Sequence, residues 1–223
     1  MSNQLSKKDL IERLTQKYEN SPWNNILVPV IKDPVFEPLV ERWLQDVISG
    51  VNFTPPMANI FQSMMLCPLD DVKVIFINAL PFPYAGNADG MALSGYVKNE
   101  AAKYFVDQFP RDPDEMPQPN LEYLVKQGVL MLNIAATCTV GEPESHAKLW
   151  GPVTAKIIQN LQERTGIIYV FVGELTKDFH AFVTPNNYKM FIPYPDRKDW
   201  NSVDVFNSIN DILKKNTGSG INW

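Results

Sequence analysis

The chain has 223 residues, with 45% hydrophobic and 20% charged residues, an ordinary globular balance and enough length for one sizeable core. No stretch approaches the ~20 apolar residues of a membrane span, and the polar start, Met1 to Lys8, has no signal-peptide core. The net charge of −5 argues against a general nucleic-acid coat protein, since phosphate binding needs local positive charge, but leaves room for a small basic face.

Leu5, Leu10, Ile11, Leu14 and Tyr18 recur at helical spacing, so 6–18 is predicted to be an amphipathic helix. Phe36, Leu39, Val40, Trp43, Leu44, Val47 and Ile48 repeat the pattern before Pro55 and Pro56 break the chain. Four short apolar runs follow, Val72–Asn78, Val129–Asn133, Ile167–Val172 and Tyr188–Ile192. Runs so apolar on both faces predict strands buried in a parallel sheet. Helical patterns lie between them, at 97–107 with 120–126, at 146–163 and at 174–182, and a last one at 202–215 follows the fourth run. The expected architecture is a single α/β domain over 1–223, with a central four-stranded, mainly parallel sheet flanked by helices on both faces. In such sheets the ligand crevice lies beyond the carboxyl ends of the strands, so the residues just after each strand are the first suspects.

The first of these segments runs from Asn78 to Gly90 and holds Pro81, Phe82, Pro83 and Tyr84. Prolines and aromatics in a post-strand loop make either a rigid packed turn or a stiff wall on which a planar ligand stacks. The second begins at Asn133, whose amide can offer a donor and an acceptor to a ligand edge or cap a turn. The fourth strand leads into Ile192-Pro193-Tyr194-Pro195-Asp196-Arg197-Lys198, a stiff loop with an aromatic and two cations. Tyr194, Arg197 and Lys198 are therefore candidates for a base wedge and phosphate contacts, against the simpler alternative of a solvated basic turn. The residues alone point to a planar-ligand pocket.

Taken in order, these segments resemble uracil-DNA glycosylase of the main family. That family's first motif reads Val-Lys-Val, three apolar residues, Gly-Gln-Asp-Pro-Tyr-His, Gly-Pro-Gly-Gln-Ala-His-Gly and on to Phe-Ser. Val72-Lys73-Val74 through Ser94 lies on it without a gap, matching at Pro81, Gly86, Ala88, Gly90 and Ser94. The stretch Leu124 to Asn133 resembles the family's Lys-Gln-Gly-Val-Leu-Leu-Leu-Asn, and the tail, Asn210 to Lys215 and then Ile221-Asn222-Trp223, resembles its closing Pro-Ile-Asp/Asn-Trp. Ser145-His146 fits as well, and Phe53, Pro55 and Pro56 fit the early proline stretch. The likeness covers roughly 36–223. It implies a flipped base read in a pocket, with Pro55, Pro56, His146, Tyr194, Arg197 and Lys198 toward the DNA and Asn133 reading the base edge.

The departures lie in the pocket. Leu80 stands where the family has its water-activating Asp, and Ile192 where it has the His of His-Pro-Ser-Pro. Leu93 replaces the Phe that stacks on uracil, and Phe82 the Tyr that crowds C5 of the pyrimidine. Tyr194 and Glu174 replace two serines that grip phosphates. Glycosidic cleavage builds positive charge on the sugar and negative charge on the leaving base. Leu80 and Ile192 can stabilise neither, so ordinary uracil excision is not expected. Two readings remain. In one, the protein excises a modified pyrimidine, such as a hydroxymethylated or glucosylated cytosine of phage DNA, in a pocket widened at Leu93 and Ile192. Wider-superfamily relatives use an Asn in the first motif; Asn78 is the nearest amide, and Asp89 is the only carboxylate in that loop. Both are candidates to hold the attacking water, with a plain turn role as the alternative for Asp89. In the other reading, the protein is an inactive homologue that serves as a DNA-binding or replication accessory with a protein partner.

Cys67 and Cys138 each adjoin an apolar run, and His146 and His180 are the only histidines. None has metal-ligand spacing, so no metal or cofactor is expected and the thiols read as buried, in a reducing, cytoplasmic setting. A monomer that binds DNA and no membrane is the expectation.

Overall fold

Ser6 opens the first helix with a reciprocal cap: its hydroxyl accepts from the Asp9 N–H, and the Asp9 carboxylate accepts from the Ser6 N–H. The helix that follows, α1 (Lys7–Tyr18), buries Leu10, Leu14 and Tyr18. The computed structural model describes residues 6–95, 99–110, 118, 120–196, 200–201 and 204–223. The next helix, α2 (Asn24–Lys32), carries Pro29 within it and was not expected from the sequence. Pro29 removes one backbone donor; burial of Ile26, Leu27, Val30 and Ile31 against α1 and a later helix compensates. The predicted second helix is α3 (Glu37–Ile48), entered through a short 3₁₀ turn at Pro34–Phe36.

A two-residue strand, β1 (Phe53–Thr54), and a short helix, α4 (Gln62–Leu66), precede the main sheet. The sheet's strands are β2 (Val74–Asn78), β3 (Val129–Asn133), β5 (Ile168–Val172) and β6 (Tyr188–Ile192), in the order β3-β2-β5-β6, and all adjacent pairs are parallel. The remaining strand, β4 (Cys138–Thr139), pairs antiparallel with β1. Every residue of β2 and β5 is buried, as the continuous apolar runs require of central strands. At the edge, β6 leaves Tyr188 and Phe191 exposed. The connecting helices are α5 (Glu100–Val106), α6 (Glu122–Val125), α7 (Ala147–Leu161) and α8 (Val205–Thr217), and the predicted 174–182 helix is a 3₁₀ helix, Glu174–Phe182.

Two aromatic groups seat the helices. Phe76 of β2 meets Phe105 of α5, Phe206 of α8 and Trp223, while Phe36, Trp43 of α3 and Trp150 of α7 pack together edge-on and tilted. The register then sets the site. Asn78 pairs with Asn133 across β2 and β3, which puts two amides side by side at the carboxyl end of the sheet.

Candidate functional site

Beyond β2 and β5 the chain leaves a cleft of about 310 Å³ lined by residues 78–83, Pro143, residues 172–175 and Tyr194. That volume lies at the low end of the ~300–1,000 Å³ of small-molecule sites, and the lining is apolar with few polar groups, as such sites are. Two local features hold the walls. The Gly141 N–H donates to the Pro83 carbonyl at 2.8 Å, tying the proline loop to the turn after β4. Gly173 has φ +80, and a Cβ there would lie 3.1 Å from Tyr194 Cβ. A glycine therefore allows Tyr194 to close the far wall.

Asn78 is the buried polar group of this cleft, 2% exposed. Its Nδ2 donates to the Leu80 carbonyl at 2.8 Å and to Asn133 Oδ1 at 2.8 Å. Turning the amide over would set its oxygen against two carbonyl oxygens, so its orientation is fixed. Asn78 Oδ1 is left as a buried acceptor with no hydrogen-bond partner, a state that costs ~1–3 kcal/mol unless something fills it.

The structure gathers some of the sequence-predicted residues here and disperses others. Leu80 and Phe82 line the cleft with Asn78, and Tyr194 stands at its mouth, where burial and then Asp196 push its phenol pKa up. Asn133 touches Asn78 but borders a separate small hollow with Met64, Gly90 and Trp150. Leu93 does not reach the cleft: it is 2% exposed, has φ +56, and its side chain belongs to the core. Ile192 is also displaced from the expected pocket. It lines a hollow beside β6 shared with Val205 and Ser208 of α8. Leu80 and Ile192, the positions that resemble the family's Asp and His, thus border different hollows, although Ile192 is the register partner of Val172 in the cleft wall.

Asp89 is likewise outside the cleft. Its carboxylate accepts from Ser94 Oγ and from the Met91 N–H at 3.0 Å, the contacts of a turn residue. Burial raises its pKa, with those hydrogen bonds opposing the rise. His146, expected near the DNA backbone, is fully buried, with Nε2 2.9 Å from Asp46 Oδ2 and Nδ1 2.9 Å from Thr137 Oγ1. No phosphate can reach it there. Pro55 is buried and Pro56 exposed. Arg197 and Lys198 lie outside the described residues.

One cleft residue was not singled out as catalytic from the sequence. Glu174 is the carboxylate that lines the cleft, exposed and ion-paired with Lys177. Its substitution for a phosphate-gripping serine was the available signal. Both cysteines are buried thiols, with Cys67 pushed up to about 12 and Cys138 to about 11, chiefly by burial. Among the described residues no cluster of three His, Cys, Asp or Glu side chains could hold a metal ion, and no helix is long and apolar enough to cross a membrane.

Comparison with known proteins agrees with the fold. No family model matches the chain. A uracil-DNA glycosylase of Fusobacterium nucleatum is 28% identical over 216 residues, covering 92% of this chain and 95% of that protein. A Coxiella burnetii uracil-DNA glycosylase is 25% identical over 222 residues, covering 94% and 97%. Among solved structures, mimivirus uracil-DNA glycosylase superposes with a TM-score of 0.75 at 20% identity, covering 91% of this chain and 86% of that one.

Proposed function

From the premise that this chain belongs to the uracil-DNA glycosylase superfamily, we propose that it is a DNA glycosylase that flips a modified, non-uracil pyrimidine into the cleft and excises it. The observation that carries this reading is the cleft itself. It is open to about 310 Å³ at the carboxyl ends of β2 and β5, with a fixed buried acceptor on Asn78 and an apolar side chain at Leu80. A planar base can lie between the proline-aromatic wall and Tyr194. Pro83, Pro143 and Leu175 leave an apolar rim for a substituent on the ring.

The chemistry argues against uracil. A carboxylate facing the sugar and an imidazole facing the base are each worth ~3–4 kcal/mol, so losing both costs roughly 10⁴–10⁶ in rate. Leu80 offers no charge, and Ile192 lies at another hollow. Glu174 at the rim is the remaining carboxylate that could face a developing sugar cation. The substrate is then a base whose ring substituent finds room toward the open side of the cleft, such as a hydroxymethylated or glucosylated cytosine.

The test is mass spectrometry of released bases, with abasic sites counted on DNA that carries these cytosines, uracil or only ordinary bases. Abasic sites confined to modified DNA support the proposal; excision of none of these bases defeats it. A second reading, a non-catalytic DNA-binding accessory, is favoured by the neutral amide and Leu80 at the position of an acid. Tight DNA binding without base release would establish it.

A further inference from the structure

We infer that Asn78 selects the ligand of the cleft by accepting a hydrogen bond from a ring or exocyclic N–H, with Asn133 serving to orient it. The inference rests on reading the cleft as a base pocket and adds which chemical edge that pocket reads.

Donor and acceptor supply decides what Asn78 can offer a ligand. A carboxamide offers two N–H donors and one carbonyl oxygen. Both Asn78 donors are taken, by the Leu80 carbonyl and by Asn133 Oδ1. Its oxygen is buried and unpartnered, on a residue that lines the cleft. What Asn78 can give a ligand is therefore a single acceptor of fixed direction. The same contact consumes the acceptor of Asn133, so that amide cannot turn over to suit a different edge. A neutral amide takes no proton from water at physiological pH, so what Asn78 supplies is a hydrogen-bond acceptor, here for a base edge rather than for an attacking water. A ligand with an N–H along its pairing edge satisfies the orphan oxygen. One without it leaves that oxygen buried and unpaired, and a site with such a group discriminates strongly.

The probes are three free bases of nearly one shape. Two, 1-methylcytosine and 1-methyluracil, carry an N–H on the pairing edge; the third, 1-methylpyrimidin-2-one, is the first without its amino group and is no larger. Affinities are measured by calorimetry on the full chain and on Asn78→Ala. The wild-type protein should bind the tighter of the two donor-bearing bases roughly 10- to 100-fold more tightly than the pyrimidinone. In Asn78→Ala the gap should close to within about three-fold, the residue that remains once the orphan acceptor is gone. Equal binding of all three by the wild type overturns the inference and leaves the base pocket intact. So does a gap that persists in Asn78→Ala, or a variant that loses turnover with base affinities unchanged, the mark of a water-holding role. No binding of any base overturns the pocket reading and this inference together. If Asn78→Ala fails to fold, the wild-type comparison alone decides.

Discussion

Asn78 Nδ2 donates to Asn133 Oδ1 at 2.8 Å across two parallel strands in which these residues are register partners. The contact makes Asn133 a positioning residue for its neighbour. Removing it frees one Asn78 hydrogen and leaves only the Leu80 carbonyl to hold the amide in place. Asn133→Ala is expected to lower discrimination between donor-bearing and donor-less bases several-fold, with a stability cost of about 1 kcal/mol. Base titrations and thermal melts of the variant check both parts.

Leu80 lines the cleft and Ile192 a neighbouring hollow, which gives a second expectation. Leu80→Asp puts a carboxylate where a sugar cation would form. Uracil release should rise about 10²-fold over the wild-type background, the usual worth of one such group. Ile192→His should change nothing, because position 192 borders the hollow against α8. Assaying both variants on uracil-containing DNA checks the placement of the cleft; a gain from Ile192→His alone would contradict it.

A third expectation concerns pH and the buried cluster around His146. Thr137 Oγ1 accepts from Trp43 Nε1 at 3.2 Å and Trp150 Nε1 at 2.7 Å. Its own hydrogen then goes to His146 Nδ1, and the imidazole hydrogen sits on Nε2 facing Asp46. Burial holds the His146 pKa below its ordinary 6.5, with Asp46 opposing. Below 6.5 the unfolded chain takes up a proton that the folded chain resists. Stability is therefore full above that value and falls as pH drops through it toward the folded pKa. Melts between pH 7 and 6 should show this loss. His146→Gln should remove the slope and cost ~1–3 kcal/mol at neutral pH, the penalty for disturbing buried hydrogen bonds, since Arg42 still pairs with Asp46 at 2.8 Å. Asp89 has the opposite sign, since its raised pKa adds stability as pH falls, but from the lower carboxylate range.

Arg197 and Lys198 give a fourth. If they meet the DNA backbone, replacing both with Ala should weaken binding uniformly across sequences. It should also lower the slope of log affinity against log salt by about 2. Titrations at several salt concentrations measure it; an unchanged slope would remove this loop from the DNA contact.

The sequence made the sheet legible because its strands are continuous apolar runs: Val129–Asn133 and Tyr188–Ile192 have the predicted limits. It hid α2, whose Pro29 interrupts the pattern, and the two-residue strands Phe53–Thr54 and Cys138–Thr139, too short to carry periodicity. The loop with Asn78, Leu80 and Phe82 was legible as a stiff post-strand wall. The pairing of Asn78 with Asn133 was not, because it depends on register between strands about 55 residues apart in sequence. Nor was the fate of Leu93, Ile192, Asp89 and His146. A motif gives a residue's place in the chain, whereas its direction is set by the packing of α8, by a turn at Ser94 and by two buried indoles.

The central claim is that a pyrimidine sits between residues 78–83 and residues 172–175. Titrating ¹⁵N-labelled protein with 1-methylcytosine tests it most directly. Shifts are expected at the Asn78 side-chain amide and at the backbone of Leu80, Phe82 and Gly173. Shifts confined to the hollow around Gly90 and Met64, or none at saturating base, would contradict it.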